Sequence, residues 1–426
     1  MTDDLTLRAH ALEVLRRNRR DGYTVPALGL YPYQWCWDTG PIALGWAAAS
    51  DWEQAWTEID SLCSAQWENG FVPHIVFWQE CDDYFPGPEV WDAHRRDGSS
   101  PATTGLTQPP LPVSAAATLL RTDPDRERAR ERITRLWPRL VAWLEWIGRA
   151  RRGPHGAAVI VHPWESGMDN SPAWDEPLAS TPQSTSEHLD RRDVQTVAAA
   201  QRPSTVEYRH YLGIVAALRD AGWDTERQPD DSPFVVEDPG FTAIAARAAD
   251  DLATIASALG EPDARFLALA TTWRVGLESL WDDELRWYRA HDVRASRAIG
   301  PRTAGGLLAS WADADSQRSA EMAACVDSWR GEVPFAVPTT DPSAAGFDPV
   351  RYWRGPAWVL VNWMIADGER RAGRSERADA LRALTRTLVE RHGFCEYFDP
   401  RDGKGIGGVG FSWSAALTLA WLTDSD

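Results

Sequence analysis

One period runs through the chain almost from end to end. Apolar residues recur at steps of three and four. In 51–70, Trp52, Trp56, Ile59, Leu62, Cys63 and Trp67 share a helical face, behind an N-cap at Ser50 or Asp51 and ahead of Gly70. Ser204 and Glu207 have the capping-box spacing before Tyr208, Tyr211, Leu212 and Val215. Asp238-Pro239 sets a cap before an N1 proline and opens a helix to Gly260; Glu261-Pro262 opens another that runs to about Trp281. Further helices are expected at about 5–19, 41–49, 112–121, 126–150, 302–310, 317–330, 355–371, 375–391 and 412–423, which makes about twelve to thirteen. Strand-like alternation is confined to Ala158–Val161, Phe71–Phe77 and Tyr31–Trp37. No repeat of fixed period recurs, so a closed helical array is favoured over a solenoid.

Two irregular stretches interrupt the helices, at about 71–111 and 162–203. They are rich in Pro, Gly, Ser and Thr yet hold Trp78, Tyr84, Trp91, Trp164 and Trp174. Segments of that length in a compact domain are usually functional or disordered, and the aromatics argue for function. No shift in composition marks a domain boundary, so residues 1–426 are expected to form one domain.

Charge excludes some partners. With 44 Lys+Arg against 62 Asp+Glu the formal net charge is −18, and Lys404 is the one lysine. Such a chain is repelled by nucleic acid and by anionic lipid unless a basic patch intervenes, and the densest basic stretches, Arg16–Arg20 and Arg126–Arg135, read as solvated helix faces. Five widely spaced cysteines form no CxxC pair, and the acidic N-terminus has no uninterrupted apolar run, so a cytoplasmic protein is expected. The nine histidines show no HxH or HExxH spacing, and G-x-S-x-G is absent, so neither a metal nor a cofactor is expected. Gly405-Ile-Gly407-Gly408-Val-Gly410 fits G-x-G-x-x-G without a surrounding βαβ unit. Its glycines more plausibly let a loop turn or pass close to something.

The 24 Trp outnumber 11 Phe and 9 Tyr, which suggests half-wet aromatic surfaces. They gather with acids in four segments. The first, Tyr31-Pro-Tyr33-Gln34-Trp35-Cys36-Trp37-Asp38, reads as an alternating stretch whose Gln34 and Asp38 share a face lining a cavity. The second, His162-Pro-Trp164-Glu165-Ser-Gly167-Met-Asp169-Asn-Ser-Pro172, sets two carboxyls among tryptophans, where an Asp beside apolar rings has its pKa raised, as a general acid requires. The third is Tyr352-Trp353-Arg354-Gly-Pro-Ala-Trp358. The fourth, Phe394-Cys-Glu396-Tyr-Phe-Asp-Pro400, buries a Glu at a cost unless it is paired or used. Two loop carboxyls, Asp169 and Glu396, with many flat rings suit glycoside hydrolysis, which needs an acid on one side of the sugar, a base or nucleophile on the other, and no cofactor.

These segments, together with the Gly-rich turn and Phe411-Ser-Trp413-Ser, resemble glycoside hydrolase family 63, most nearly its bacterial members that hydrolyse glucosylglycerate and mannosylglycerate. The resemblance runs from about residue 8 onward. It implies an all-α (α/α)6 barrel with the site in the loops at one end, and inversion of the anomeric centre. Asp169 would be the general acid and Glu396 the general base, about 6.5–9.5 Å apart to admit a water. Tyr33 and Gln34 from the first segment join Trp35, Trp37, Asp38, Trp164, Gly167, Tyr352, Trp353 and Trp358 as candidates around the hexose. Arg202, Tyr208, Gln108 and Tyr84 would hold the glycerate carboxylate, for which a planar guanidinium is suited. The expected partner is therefore a small sugar with a carboxylate aglycone, with neither nucleic acid nor membrane; self-association into a homo-oligomer is left open. A hydrolase of a neutral α-disaccharide or oligosaccharide on the same fold, and a non-catalytic sugar-binding barrel, are the alternatives.

Overall fold

A computed structural model describes residues 3–81, 84–93, 101–186 and 189–424. Its principal helices are α1 (Asp4–Asn18), α2 (Cys36–Ala48), α3 (Trp52–Ser64), α4 (Leu111–Thr122), α5 (Arg126–Ala150), α6 (Thr205–Asp220), α7 (Pro239–Leu259), α8 (Ala264–Ser279), α9 (Ala304–Leu307, extended by a 3-10 turn to Ala312), α10 (Ser316–Ser328), α11 (Val359–Arg371), α12 (Ser375–His392) and α13 (Ser412–Leu417, continued by a π turn to Leu422).

Six of them close a ring. α2 packs on α4, α4 on α7, α7 on the α9 segment, that segment on α11, α11 on α13, and α13 back on α2. An outer set backs this ring: α1 lies on α13, α3 on α2, α5 on α4 and α7, α8 on α7, α10 on the α9 segment and α12 on α11. This is the expected all-α barrel of two concentric rings. Composition explains the sorting. α7 is buried around most of its circumference and is rich in alanine, so neighbours on every side can approach it. α5 buries only a stripe through Ala129, Ile133, Leu136, Leu140 and Trp143 and turns its Arg and Glu residues outward. At the closing seam, a Cβ on Gly45 of α2 would stand 2.4 Å from the Cβ of Ala416 on α13. The start of α13 is also tied to α1, whose Asn18 Nδ2 donates to the Gly410 carbonyl and to Ser412 Oγ at 2.9 Å each.

Several helix starts lie where the caps put them. Asp51 accepts from the Gln54 N–H, Ser204 and Glu207 exchange both bonds of a capping box, and Asp238 accepts from the Gly240 and Phe241 N–H groups. Four boundaries differ clearly from the sequence reading; α8 starts at Ala264, behind Asp263, rather than at Glu261-Pro262. α2 starts at Cys36 rather than 41 and carries Pro41 inside it, forgoing the bond that an N–H there would give to the Trp37 carbonyl. α3 stops at Ser64, and Gly70 serves a later turn at φ +96°. α11 starts at Val359 because Trp358, after Gly355-Pro356, keeps an extended backbone.

The strands are short. β1 (Gln34–Trp35), β2 (Ile75–Phe77) and β3 (Ala102–Thr103) form one antiparallel sheet. β4 (Val159–Ile160) and β5 (Val236–Glu237) join, past the hairpin of β6 (Trp281–Asp282) and β7 (Trp287–Tyr288), with β8 (Ala290–Asp292) and β9 (Arg297–Ile299). A last hairpin pairs β10 (Cys395–Phe398) with β11 (Gly405–Val409), with a register shift between Cys395 and Tyr397. The strands from β5 to β11 escape sequence analysis because two to five residues are too few to show a period. Among the described residues no helix is long and apolar enough to cross a membrane.

Candidate active site

Inner helices direct their N-terminal ends to one side of the ring. Asp38 lies in the first turn of α2, Gln108 just precedes α4, Trp353 precedes α11 and Trp413 opens α13. These four residues line a cavity of about 860 Å³, counting its open mouth. The rest of the wall comes from the two long loops, from β10, from the segment between α1 and α2 that holds Leu30 and Tyr31, from Tyr208 on α6, and from Tyr352 and Phe411.

Glu396 projects from β10 and is almost fully buried. Tyr31 donates to its Oε1 at 2.9 Å and the Gly408 N–H to its Oε2 at 2.8 Å. Arg202 Nη1 reaches both oxygens, at 3.2 and 3.3 Å. The glycine segment explains this approach. Gly407 has φ +76°, and a Cβ there would stand 2.7 Å from Glu396 Oε2. The glycines therefore do let a strand pass close to something, and that something is a carboxylate.

Asp169 faces the same cavity from the 162–203 loop. Gly167, at φ +73°, lets the loop lie against Trp37, whose ring a Cβ would meet at 2.7 Å. Tyr211 donates to the Asp169 carbonyl at 3.1 Å, and Asn170 Oδ1 accepts from the Trp353 N–H at 3.0 Å, so the loop is pinned on both sides. Burial among these rings pushes the Asp169 carboxyl up to about 8, against the opposing pull of the Arg202 charge and a hydrogen bond from Tyr352. Asp38 is also held well above its ordinary value, by burial first and then by the nearby Glu396 and Asp169 charges. The Tyr31 and Tyr352 hydroxyls stand 3.3 Å apart, Tyr31 bonded to Glu396 and Tyr352 to Asp169.

Most of the residues expected around the sugar meet here: Trp35, Trp37, Asp38, Tyr84, Gln108, Trp164, Gly167, Arg202, Tyr208, Tyr352 and Trp353 line the cavity with Asp169 and Glu396. Three do not. Gln34 does not share a face with Asp38, because the strand ends at Trp35 and the next residue begins α2; its amide donates to the Glu58 carbonyl and accepts from Trp78 and Ser61. Tyr33 packs edge-on behind Tyr84 at 5.4 Å and donates to the Cys81 carbonyl. Trp358 lies one layer back, stacked on Trp353 at 3.7 Å and 2°. Glu165 also leaves the cavity, since both its oxygens are taken by fully buried Arg151. In the loops, Trp91 and Trp174 are buried supports rather than platforms.

Arg202 is not a free cation. Besides Glu396, it donates from Nη2 to Tyr31 at 2.5 Å and from Nε to Asp193 at 3.4 Å, and it stacks on Tyr352 at 4.2 Å. The wall also contains Tyr31, His74, Phe85, Arg192, Asp193, Phe411 and Trp413, which sequence reasoning did not single out as site residues. Tyr31 and Trp413 lay in aromatic segments and were within reach of that reasoning; Arg192 and Asp193 lie in a polar stretch with no period. Arg192 is half-exposed, pairs with Asp190 at 2.7 Å and keeps a buried Nε with no partner.

Known proteins resemble this chain over nearly its whole length. The family model of the mannosylglycerate hydrolase MGH1-like glycoside hydrolase domain matches residues 31–414. The mannosylglycerate hydrolase of Thermus thermophilus is 45% identical over 96% of this chain and 99% of its own. The glucosylglycerate hydrolase of Mycolicibacterium hassiacum is 34% identical over 98% of this chain and 97% of its own. A crystal structure of the Thermus thermophilus GH63 mannosylglycerate hydrolase in complex with Tris and D-glycerate superposes with a TM-score of 0.93, over 97% of this chain and 99% of that one at 45% identity.

Proposed function

Because this chain belongs to the mannosylglycerate hydrolase MGH1-like glycoside hydrolases, we propose that it cleaves 2-O-α-mannosylglycerate or 2-O-α-glucosylglycerate to hexose and glycerate with inversion, residues 1–426 acting as one catalytic unit. The observation that carries the mechanism is the unequal treatment of two carboxyls facing one cavity. Asp169 is lifted to about 8 by burial, so it is protonated at neutral pH. Glu396 accepts hydrogen bonds on both oxygens, from Tyr31, the Gly408 N–H and Arg202, which aim its lone pairs and hold it in place.

Asp169 gives its proton to the glycosidic oxygen as the C1–O bond breaks, and the bonding pair leaves with glycerate. Glu396 takes a proton from a water that attacks C1 on the opposite face. Two tyrosine hydroxyls between the carboxyls support a separation wide enough for that water. Trp35, Trp37 and Trp353 offer apolar faces to the hexose and Asp38 a hydrogen-bonding group. Gln108, Tyr84, Tyr208 and Arg202 face the aglycone. Arg202 then serves both the base and the glycerate carboxylate, and Arg192 adds a second cation at the rim.

A neutral α-disaccharide is the second reading, favoured by the fact that Arg202 already has Glu396, Asp193 and Tyr31 as partners. Incubation with both glycosylglycerates and a neutral α-disaccharide, followed by proton NMR of the anomer first released, decides. Release of the β-anomer from a glycosylglycerate is expected; no turnover of either, or retained configuration, sinks the proposal.

A further inference from the structure

Outside the cavity, three side chains from distant parts of the sequence meet around one buried carboxylate. Glu237 on β5 is fully buried, and the β5–β8 register sets His291 directly opposite it. His155 comes from the tight turn that links α5 to β4; its backbone N–H donates to Glu237 Oε1 at 2.9 Å and its Nδ1 lies 2.6 Å from Oε2. His291 Nδ1 stands 3.4 Å from that same oxygen, buried and without a hydrogen-bond partner. The two imidazoles meet edge to face at 4.5 Å, and one ligand atom from each of the three residues lies within 4.8 Å of the others.

Two further features mark a built site. A Cβ on Gly153 would fall 2.2 Å from Glu237 Oε1, so the turn keeps a glycine where any side chain would expel the carboxylate. Among the described residues, the ion-pair partners of Glu237 are these two histidines and no Arg or Lys. A buried carboxylate in that position calls for a cation.

We propose that His155, Glu237 and His291 bind one divalent transition-metal ion, zinc by ligand type. Two imidazoles and one carboxylate match its preferences, whereas calcium and magnesium take oxygen ligands. His155 is half-exposed, which gives the ion a way in and leaves a coordination position to water. The role is structural, since none of the three residues lines the catalytic cavity. The ion ties the turn before β4 to β5 and β8. β4 leads within a few residues to the loop of Asp169, and β5 leads directly to the Asp238 cap of α7.

The test uses the full chain, stripped with a chelator and titrated with ZnCl2 by calorimetry and thermal melting. One zinc per chain, a raised Tm, an unchanged kcat and a visible ligand-field spectrum on substitution with cobalt are expected. His291→Ala should weaken zinc binding by more than about 100-fold. Its zinc-free melt should stay near that of the parent, because His291 Nδ1 makes no hydrogen bond to lose. His155→Ala gives the second arm, with the same loss of zinc response. Absence of a single zinc site in the parent, or undiminished zinc affinity in His291→Ala, overturns the proposal and leaves a hydrogen-bonded His155–Glu237 clasp.

Discussion

Replacing Tyr352 with phenylalanine tests whether Asp169 is the acid and whether its environment sets the working pH. Burial raises the Asp169 carboxyl to about 8, while the Tyr352 hydroxyl opposes burial by favouring the ionised form. Tyr352→Phe removes that hydroxyl and keeps the ring, so stacking on Arg202 at 4.2 Å survives. A hydrogen bond to a charged group contributes about 1.5–3 kcal/mol, and one pKa unit corresponds to about 1.4 kcal/mol. The lost bond is therefore worth about one to two units, and water entering the space recovers part of it; a rise of about one unit is expected. The acid must hold its proton in the free enzyme, so kcat/KM falls on the alkaline side as Asp169 ionises. The parent should show that limb at about 8 and Tyr352→Phe at about 9, whatever happens to the height of the profile. The assay is kcat/KM against pH with mannosylglycerate as substrate. A limb that stays in place or moves down refutes the argument.

Asp169→Asn and Glu396→Gln should each lower kcat by at least about 100-fold with an unchanged circular-dichroism melt; near-normal turnover in either removes that residue from its role. Gly407→Ala forces a side chain into φ +76° and against Glu396 Oε2. It should cost about 1–2 kcal/mol in denaturant titration and about 100-fold in kcat by displacing the base. Arg202→Ala should damage turnover of anionic and neutral glycosides alike, because it also holds Glu396. Arg192→Ala should raise KM about tenfold for glycosylglycerate alone, a split that steady-state kinetics with paired substrates reads directly. Glu58 is raised from 4.5 to about 7 by burial, opposed by bonds from Thr24 and Gln54. Its folded-state proton is held more tightly than in the unfolded chain, so its stabilising contribution is whole below about 4.5 and fades as pH rises to about 7, at about 1 kcal/mol per pH unit. Denaturation midpoints of Glu58→Gln should lack that slope.

Much of the helical frame was legible because caps and period agree: Ser204 with Glu207, Asp238 with Pro239, and the stripe of α5 each tie a local signal to the side that becomes buried. The two loop carboxyls were legible for a related reason, as charged groups set among rings. Gln34 misled because period-two reasoning was carried through Cys36, where the backbone turns helical and the face rotates. Arg202 could be seen as a cation, but its engagement by Glu396 spans 194 residues and no spacing encodes it. His155 and Glu237 are 82 residues apart, which is why no histidine spacing hinted at a cluster. The aromatic surplus was half right: Trp35 and Trp164 face the cavity, whereas Trp358 and Trp91 lie in the layer behind.

The seam between α13 and α2 also determines how this enzyme comes into being and how it fails. Glu396 and the helix that closes the ring belong to one stretch, 395–422, whereas Asp38 and Asp169 leave the ribosome far earlier. The nascent chain thus holds the proposed acid well before the proposed base, and on that reading the site is complete only when the last wedge is seated against Gly45 and Asn18. Opening this seam on heating is expected to move Glu396, the proposed base, while most of the helices are still folded, so loss of activity should precede loss of helix.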